Sequence, residues 1–273
     1  MKNLTIITIN FGNTGPTEHL LESIEDSLIP FNLNIIIVDN GSTARSKKNL
    51  LRLKEKSKLQ IQLFFNSENK YYWPAANKII LEKIKEKKKL PEWIIICNND
   101  TKIKNKNFFK ELSNINNNEF YVIGPKILNQ KKKNLNPFMI DPLSKLQRIY
   151  WNLYFSSFYI SEILNFLRNI KLFQKTRFYP DLKKEVYAVH GSMMIFSKLF
   201  FLKGGYLDTQ FKMYCEEMST AEIVKKIGGK IIYIPQLEAI HNEHSSIQKI
   251  KRKTIFELAK ESHKYFIQKY LNN

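Results

Sequence analysis

Cysteine is scarce. The 273-residue chain carries two, Cys97 and Cys215, far apart and in no Cys-x-x-Cys pair. That excludes a disulfide framework and suits a reducing compartment. No Cys/His set has the spacing of a zinc cluster. Gly-x-Gly-x-x-Gly and the P-loop pattern are both absent, so neither phosphate-binding signature is present. Long apolar runs are missing as well. The opening stretch over residues 4–9 is too short for a signal-peptide core, and nothing approaches the length of a membrane span. The expected location is the cytoplasm, with peripheral contact to the inner membrane face as an added expectation. No internal repeat and no Pro/Gly/Ser-rich linker divides the chain, so one domain is expected over residues 1–273.

Acidic residues are the other shortage: 25 Asp and Glu against 44 Lys and Arg, a net charge of +19. Such a balance proposes nucleic acid, an acidic membrane or a phosphate-bearing substrate as partner. Nucleic acid is set aside, because no recognisable motif is present and the lysines are spread over many segments. A bias to Lys, Asn and Ile runs the whole length, as an AT-rich genome would produce, so part of the charge is compositional.

What is present is a strand–helix alternation. Short apolar runs over residues 4–9, 34–38, 61–65 and 93–97 read as strands buried on both faces. Helical patterns over 16–28, 43–56 and 74–88 separate them, with Pro16 and Pro74 in first turns. Further strands are expected over 121–124, 193–196 and 231–234, the last stopped at Pro235. Residues 200–213 read as loop. A helix over 216–227 is capped by Gly228-Gly229, and residues 247–271 are helical. The class is α/β, a mostly parallel central sheet flanked by helices. Residues 143–173 are rich in aromatics and interrupt the alternation with one or two inserted helices. They either pack their aromatics inward or dip into a membrane interface.

Ligands of open α/β sheets bind beyond the carboxyl ends of the strands. Three polar turns stand there: Asn10-Phe11-Gly12-Asn13, Asp39-Asn40-Gly41-Ser42-Thr43 and Asn98-Asn99-Asp100. Each alone is a plain turn composition; three together make a candidate site. Asp39 can accept from a ribose or base edge, and Asp100 can hold a hard cation against a diphosphate. Glu216 and Glu217 open a helix, where carboxylates complement the dipole or serve as general base. His241 follows a strand and stands out beside a metal carboxylate.

In this order these segments resemble a glycosyltransferase of family 2 with the GT-A (nucleotide-diphospho-sugar transferase) fold, of the bacterial rhamnosyltransferase-like branch. The matching pieces are Ile6 to Phe11, Ile37 to Thr43, Asn66 to Asn77, Asn98-Asn99-Asp100, Gly191 to Phe196, Gly204 to Asp208, Tyr214 to Glu217 and His241 to Ser245. The resemblance implies an inverting, metal-dependent transferase. It takes a dTDP- or UDP-linked sugar, rhamnose foremost, to a glycan or lipid-linked acceptor in surface polysaccharide or glycan synthesis. Residues 1–125 would bind the nucleotide sugar, with Thr8, Asn10, Phe11, Asp39, Asn77, Asn98 and Asn99 at the donor. Asp100 and His241 would hold Mn2+ or Mg2+. Residues 126–245 would bind the acceptor, with His190, Gly191 and Tyr214 facing it and residues 143–173 inserted. Residues 246–273 would form a C-terminal helix. Glu217 takes the place of the family's catalytic Asp, and Glu216 is the alternative base. Tyr71-Tyr72-Trp73-Pro74 replaces a glycine–aromatic step. The resemblance leaves the oligomeric state open, with a homodimer as the state named. A nucleotidyltransferase is the competing enzyme reading, disfavoured by the first loop.

Overall fold

A computed structural model describes residues 1–85, 90–169, 181–242 and 251–272. The first half is built as its pattern demands. Strands β1 (Lys2–Asn10), β2 (Phe31–Asn40), β3 (Ile61–Asn66) and β4 (Trp93–Asn98) alternate with helices α1 (Gly15–Glu25), α2 (Ala44–Lys56) and α3 (Tyr72–Lys85). Alternate side chains of one strand serve opposite faces. Leu4 and Ile6 join Leu20, Leu21 and Ile24 of α1 in one core. Ile7 and Ile9 join Trp73, Ile79 and Ile80 of α3 in the other.

The second half adds β5 (Thr101–Ile103), α4 (Phe108–Ser113), β6 (Val122–Asn129), β7 (Lys184–Glu185), β8 (Met193–Ser197), α7 (Lys198–Leu202), α8 (Glu216–Lys226) and β9 (Ile231–His241). The sheet order is β3-β2-β1-β4-β8-β6-β9-β5, with β7 beside β9. β1 to β4 pair in parallel. β8 runs antiparallel to both β4 and β6, and β5 and β7 run antiparallel to β9. The sheet is therefore mixed, and its parallel part is the N-terminal half together with the β6–β9 pair.

Pro235 does not end β9. The β6–β9 register jumps between Pro125 and Lys126, whose partners are Ile234 and Glu238. Pro235 sits in that bulge, where its missing N–H breaks no ladder bond. Beyond it β9 continues, and His241 pairs across from Thr101 of β5.

The inserted segment forms two helices, α5 (Lys145–Tyr154) and α6 (Phe158–Asn169). They rest on α9 (Arg252–Phe266), which ends in a π-helical turn, Ile267–Leu271. Ser144 and Gln147 close a capping box at the start of α5. Residues 170–173 of the expected insertion, 86–88 of the expected third helix and 247–250 of the C-terminal helix lie outside the described residues. No helix among the described residues is long and apolar enough to cross a membrane.

Candidate active site

The three polar turns meet at the carboxyl ends of β1, β2 and β4. Asn10 and Asp39 are register partners, and Asn10 Nδ2 donates to Asp39 Oδ1 at 3.0 Å. Ser42 N donates to Asp39 Oδ2 at 3.2 Å. Thr17 of α1 donates to Asn10 Oδ1 at 2.8 Å, and Asn99 Nδ2 reaches Thr17 Oγ1 at 3.0 Å. Asn10, Asp39, Thr17 and Thr8 are all buried. They form the floor of the cleft, with each oxygen of Asp39 already engaged. Phe11, just past the end of β1, is exposed. The turn after Asp39 needs its glycine. Gly41 has φ +77, and a Cβ there would come within 2.6 Å of the Glu68 backbone.

Asn40 reaches the other way. It donates to Asn69 Oδ1 at 2.7 Å and to the Tyr71 carbonyl at 3.0 Å, bracing the loop into α3. Tyr71 stands where the resemblance has glycine and keeps the left-handed backbone, φ 63. Asn77 is half-buried in α3 and makes no side-chain hydrogen bond among the described residues.

Asp100 and His241 come together. His241 Nε2 lies 3.1 Å from Asp100 Oδ1 and 3.4 Å from Asn98 Nδ2. Both side chains are nearly buried, and Nδ1 of His241 is a buried atom with no hydrogen-bond partner. The pairing is produced by the β5–β9 ladder, since Thr101 follows Asp100 and faces His241. Asp100 also opens onto a hollow of about 70 Å3 lined by Pro16, His19, Lys102 and Asn242. His19 and Lys102 had no signal in the sequence; the fold alone brings them there.

His190 joins the two sides. Its ring lies 5.8 Å from that of His241. Its N–H donates to Asn136 Oδ1 at 2.7 Å, and its Nδ1 lies 2.9 Å from Ser192 Oγ. Burial, with a smaller push from His241, lowers its pKa to about 4, so the ring is neutral at pH 7. The next residue, Gly191, donates its N–H to Glu217 Oε1 at 3.0 Å. Tyr72 donates to the Gly191 carbonyl at 3.2 Å. Tyr72 was missed as a site residue because its contact spans 119 positions.

Glu216 and Glu217 form the first turn of α8. Tyr214 and Cys215 ahead of them have φ 69 and 68. Two consecutive non-glycine residues in that region cost about 1–2 kcal/mol each. Ser262 of α9 holds the bend by donating to the Met213 carbonyl at 2.7 Å. Burial raises both carboxyl pKa values, Glu216 to about 8 with its neighbour's charge adding to the effect. The Gly191 N–H pulls Glu217 back toward the ionised form. Tyr214 is exposed at the rim.

The fold is shared with known structures. Solved structures with similar folds include GalNAc-T7 with UDP, GalNAc and Mn2+, at TM-score 0.61 and 13% identity over 90% of this chain. Another is the mannosyltransferase PcManGT from Pyrobaculum calidifontis with GDP-Man and Mn2+, at 0.56 and 13% over 90%. A third is S. aureus TarS 1-349 with UDP-GlcNAc, at 0.56 and 12% over 94% of this chain and 64% of that one. The chain covers only 45% of the first and 58% of the second. A search of curated protein sequences gave no match. The fold is the GT-A fold expected from the sequence. The model of the family described as "Glycosyl transferase family 2" matches residues 5–200, more than two thirds of the chain, and the chain therefore belongs to that family.

Proposed function

We propose that the protein transfers a sugar from a nucleoside-diphosphate donor to an acceptor hydroxyl in one displacement that inverts the anomeric carbon. The observation that carries this reading is the continuous array from Asp100 through His241, His190 and Gly191 to Glu217. A carboxylate–imidazole pair whose donors suit a cation stands at one end of this array, and the half-buried Glu217 carboxylate at the other.

Glu217 is the general base. Its carboxylate takes the proton of the acceptor hydroxyl while that oxygen bonds to the anomeric carbon and the bond to the diphosphate breaks. Exit of the diphosphate on the opposite face inverts the centre. Phe11 offers a ring for the nucleobase to stack on, and the Asn10–Asp39–Ser42 floor fixes the turn under the ribose.

A divalent cation suits the Asp100–His241 pair. One carboxylate and one imidazole are donors that Mn2+ accepts, and Mg2+ accepts the carboxylate. Among the described residues no group of three or more His, Cys, Asp or Glu is placed to hold a metal. Water and diphosphate oxygens would complete the shell, so cation and donor bind together. When bound, the cation neutralises charge developing on the leaving diphosphate. Lys102 and His19 line the same hollow as Asp100, and Lys102 adds positive charge there. The rhamnosyl, dTDP-linked donor remains our first choice, with UDP-linked sugars next; the acceptor is a saccharide or lipid-linked glycan hydroxyl.

The test is a nucleotide-sugar panel read by product formation and by thermal shift with UDP or dTDP, with and without Mn2+. Glu217→Gln is expected to keep the nucleotide shift and lose transfer by a factor of about 10² to 10⁴. Asp100→Ala is expected to lose the Mn2+-dependent part of the shift. A retained anomeric configuration, or full turnover by Glu217→Gln, refutes the mechanism.

A further inference from the structure

Helices α5 and α6 present two apolar faces, and among the described residues only one is packed against the rest of the fold. On the inner face Tyr154, Phe155 and Phe158 converge on Phe256 of α9, with ring centroids 6.4, 5.9 and 5.5 Å away. Asn152 Oδ1 lies 3.0 Å from His263 Nε2, and Glu162 pairs with Arg252. On the outer face Leu146, Ile149 and Leu153 recur at i, i+3 and i+7, and Tyr159, Ile163 and Phe166 at i, i+4 and i+7. Each set is one helical stripe. Leu146, Tyr159 and Phe166 are 78, 76 and 71% exposed. A surface helix ordinarily carries charge on this face. These two stripes carry none, and contiguous exposed apolar surface of this kind marks an interaction site.

Charge selects the partner. Lys145 and Arg148 stand beside the α5 stripe. The whole chain carries +19. Two copies meeting through the stripes would set these cations against each other. An anionic lipid surface pairs with them while it takes up the apolar side chains, the arrangement of an interfacial helix. We propose that the outer face of the α5–α6 hairpin docks on an anionic membrane surface. On α9, by contrast, Phe256 and Phe266 are buried.

The position has a consequence. α9 carries both the hairpin and Ser262, which holds the Met213 carbonyl one residue before the Tyr214–Cys215 bend. The docked face therefore lies one helix away from the acceptor side of the cleft. This placement rests on the proposed function; the docking itself does not.

The experiment is co-sedimentation of the full chain with phosphatidylcholine vesicles, with and without phosphatidylglycerol. Expected is binding that requires phosphatidylglycerol. Leu146→Glu and Phe166→Glu should each weaken it about tenfold or more, and Lys145→Gln about fivefold. Leu51→Glu, on the exposed side of α2, should leave it unchanged. All four positions are solvent-exposed, so denaturation midpoints should match the parent chain. Transfer to a soluble acceptor should also persist, which separates failure of docking from failure of the catalytic reading. Absence of binding, binding untouched by the two glutamate variants, or a dimer that those variants dissolve, seen by light scattering, overturns the proposal.

Discussion

Gly191→Ala puts a methyl group where the Glu217 carboxylate now lies. A Cβ built on Gly191 falls 2.8 Å from Glu217 Oε1 and 3.3 Å from its Cδ, and real Cβ contacts essentially never come below 3.0 Å. Gly191 is not among the glycines with positive φ, so alanine adds no backbone strain of its own. The carboxylate must retreat by a few tenths of an ångström. Its bond to the Gly191 N–H, now 3.0 Å, is charge-assisted and worth about 1.5–3 kcal/mol. Loss of that bond alone would slow a step that depends on the placed carboxylate by about 10- to 150-fold. Misplacement of the base by 1 Å costs about 10²-fold by a separate argument. The expected result is kcat lowered by about one to two powers of ten at saturating donor. The thermal shift by UDP should be unchanged, since Asn10, Asp39 and Phe11 lie on other strands. Glu217→Asp in the alanine background withdraws the carboxylate by one methylene and should recover part of the turnover. Parental kcat in Gly191→Ala refutes the assignment of Glu217. Loss of the UDP shift with turnover per bound enzyme intact places Gly191 in the donor pocket instead.

Two further predictions concern buried charge. Glu216 has a folded pKa near 8 against an ordinary 4.5, because burial and the Glu217 charge oppose its ionisation. The fold then holds a proton that the unfolded chain releases, so stability falls as pH rises from about 4.5 to 8 and is flat above. Glu216→Gln removes that loss, and urea unfolding at pH 9 should show a gain of about 3–5 kcal/mol that is absent at pH 4; equal gains at both pH values would refute it. Asp208 is buried and accepts from Lys269 Nζ at 2.8 Å and Tyr270 Oη at 2.7 Å, tying the π-helical turn to the loop before α8. Lys269→Met leaves that carboxylate without its cation and should destabilise the fold by about 3 kcal/mol in urea unfolding, reduced from the full buried-pair value because Lys269 is one-third exposed. Tyr270→Phe should cost about 1–2 kcal/mol, and no loss in either variant would show that the latch contributes nothing.

Buried strands were the most legible part of the fold. β1, β2 and β4 are almost wholly apolar on both faces over their inner residues, and no helix fits so short a run between turns. β5 was not legible: Thr101-Lys102-Ile103 is three residues of mixed character, fixed only by its ladder to β9. The continuation of β9 was hidden by Pro235, which in most strands is a stop and here lies in a bulge. Those two misses matter together, because the β5–β9 ladder delivers His241 to Asp100. Strand-end position singled out each residue, but only the ladder brings them into contact. Asp39 and Asp100 were visible because polar turns at strand ends are unusual in combination. Thr17 and Tyr72 were invisible, since a threonine in a helix and a tyrosine at a helix start carry no message until the strands assemble.

The two adjacent carboxylates of α8 show how one short segment acquires two chemistries. Burial raises both, so burial does not separate them. What separates them is the donor each receives from outside its own turn. Glu217 accepts from Gly191 N–H, a bond that favours its anion. Glu216 has only its own helix start to offset burial and its neighbour's charge. Environments that push a pair apart assign acid and base. The Gly191 N–H favours the anion of Glu217, and the charge of that anion adds to the burial that holds Glu216 protonated. The left-handed pair Tyr214–Cys215 sets the direction of that turn, and its strain is held by Ser262 and by the Asp208 latch from the C-terminal helix. The helix that holds the start of α8 also carries the α5–α6 hairpin, so the packing that orders Glu216 and Glu217 and the packing that leaves the apolar stripes outward are a single arrangement.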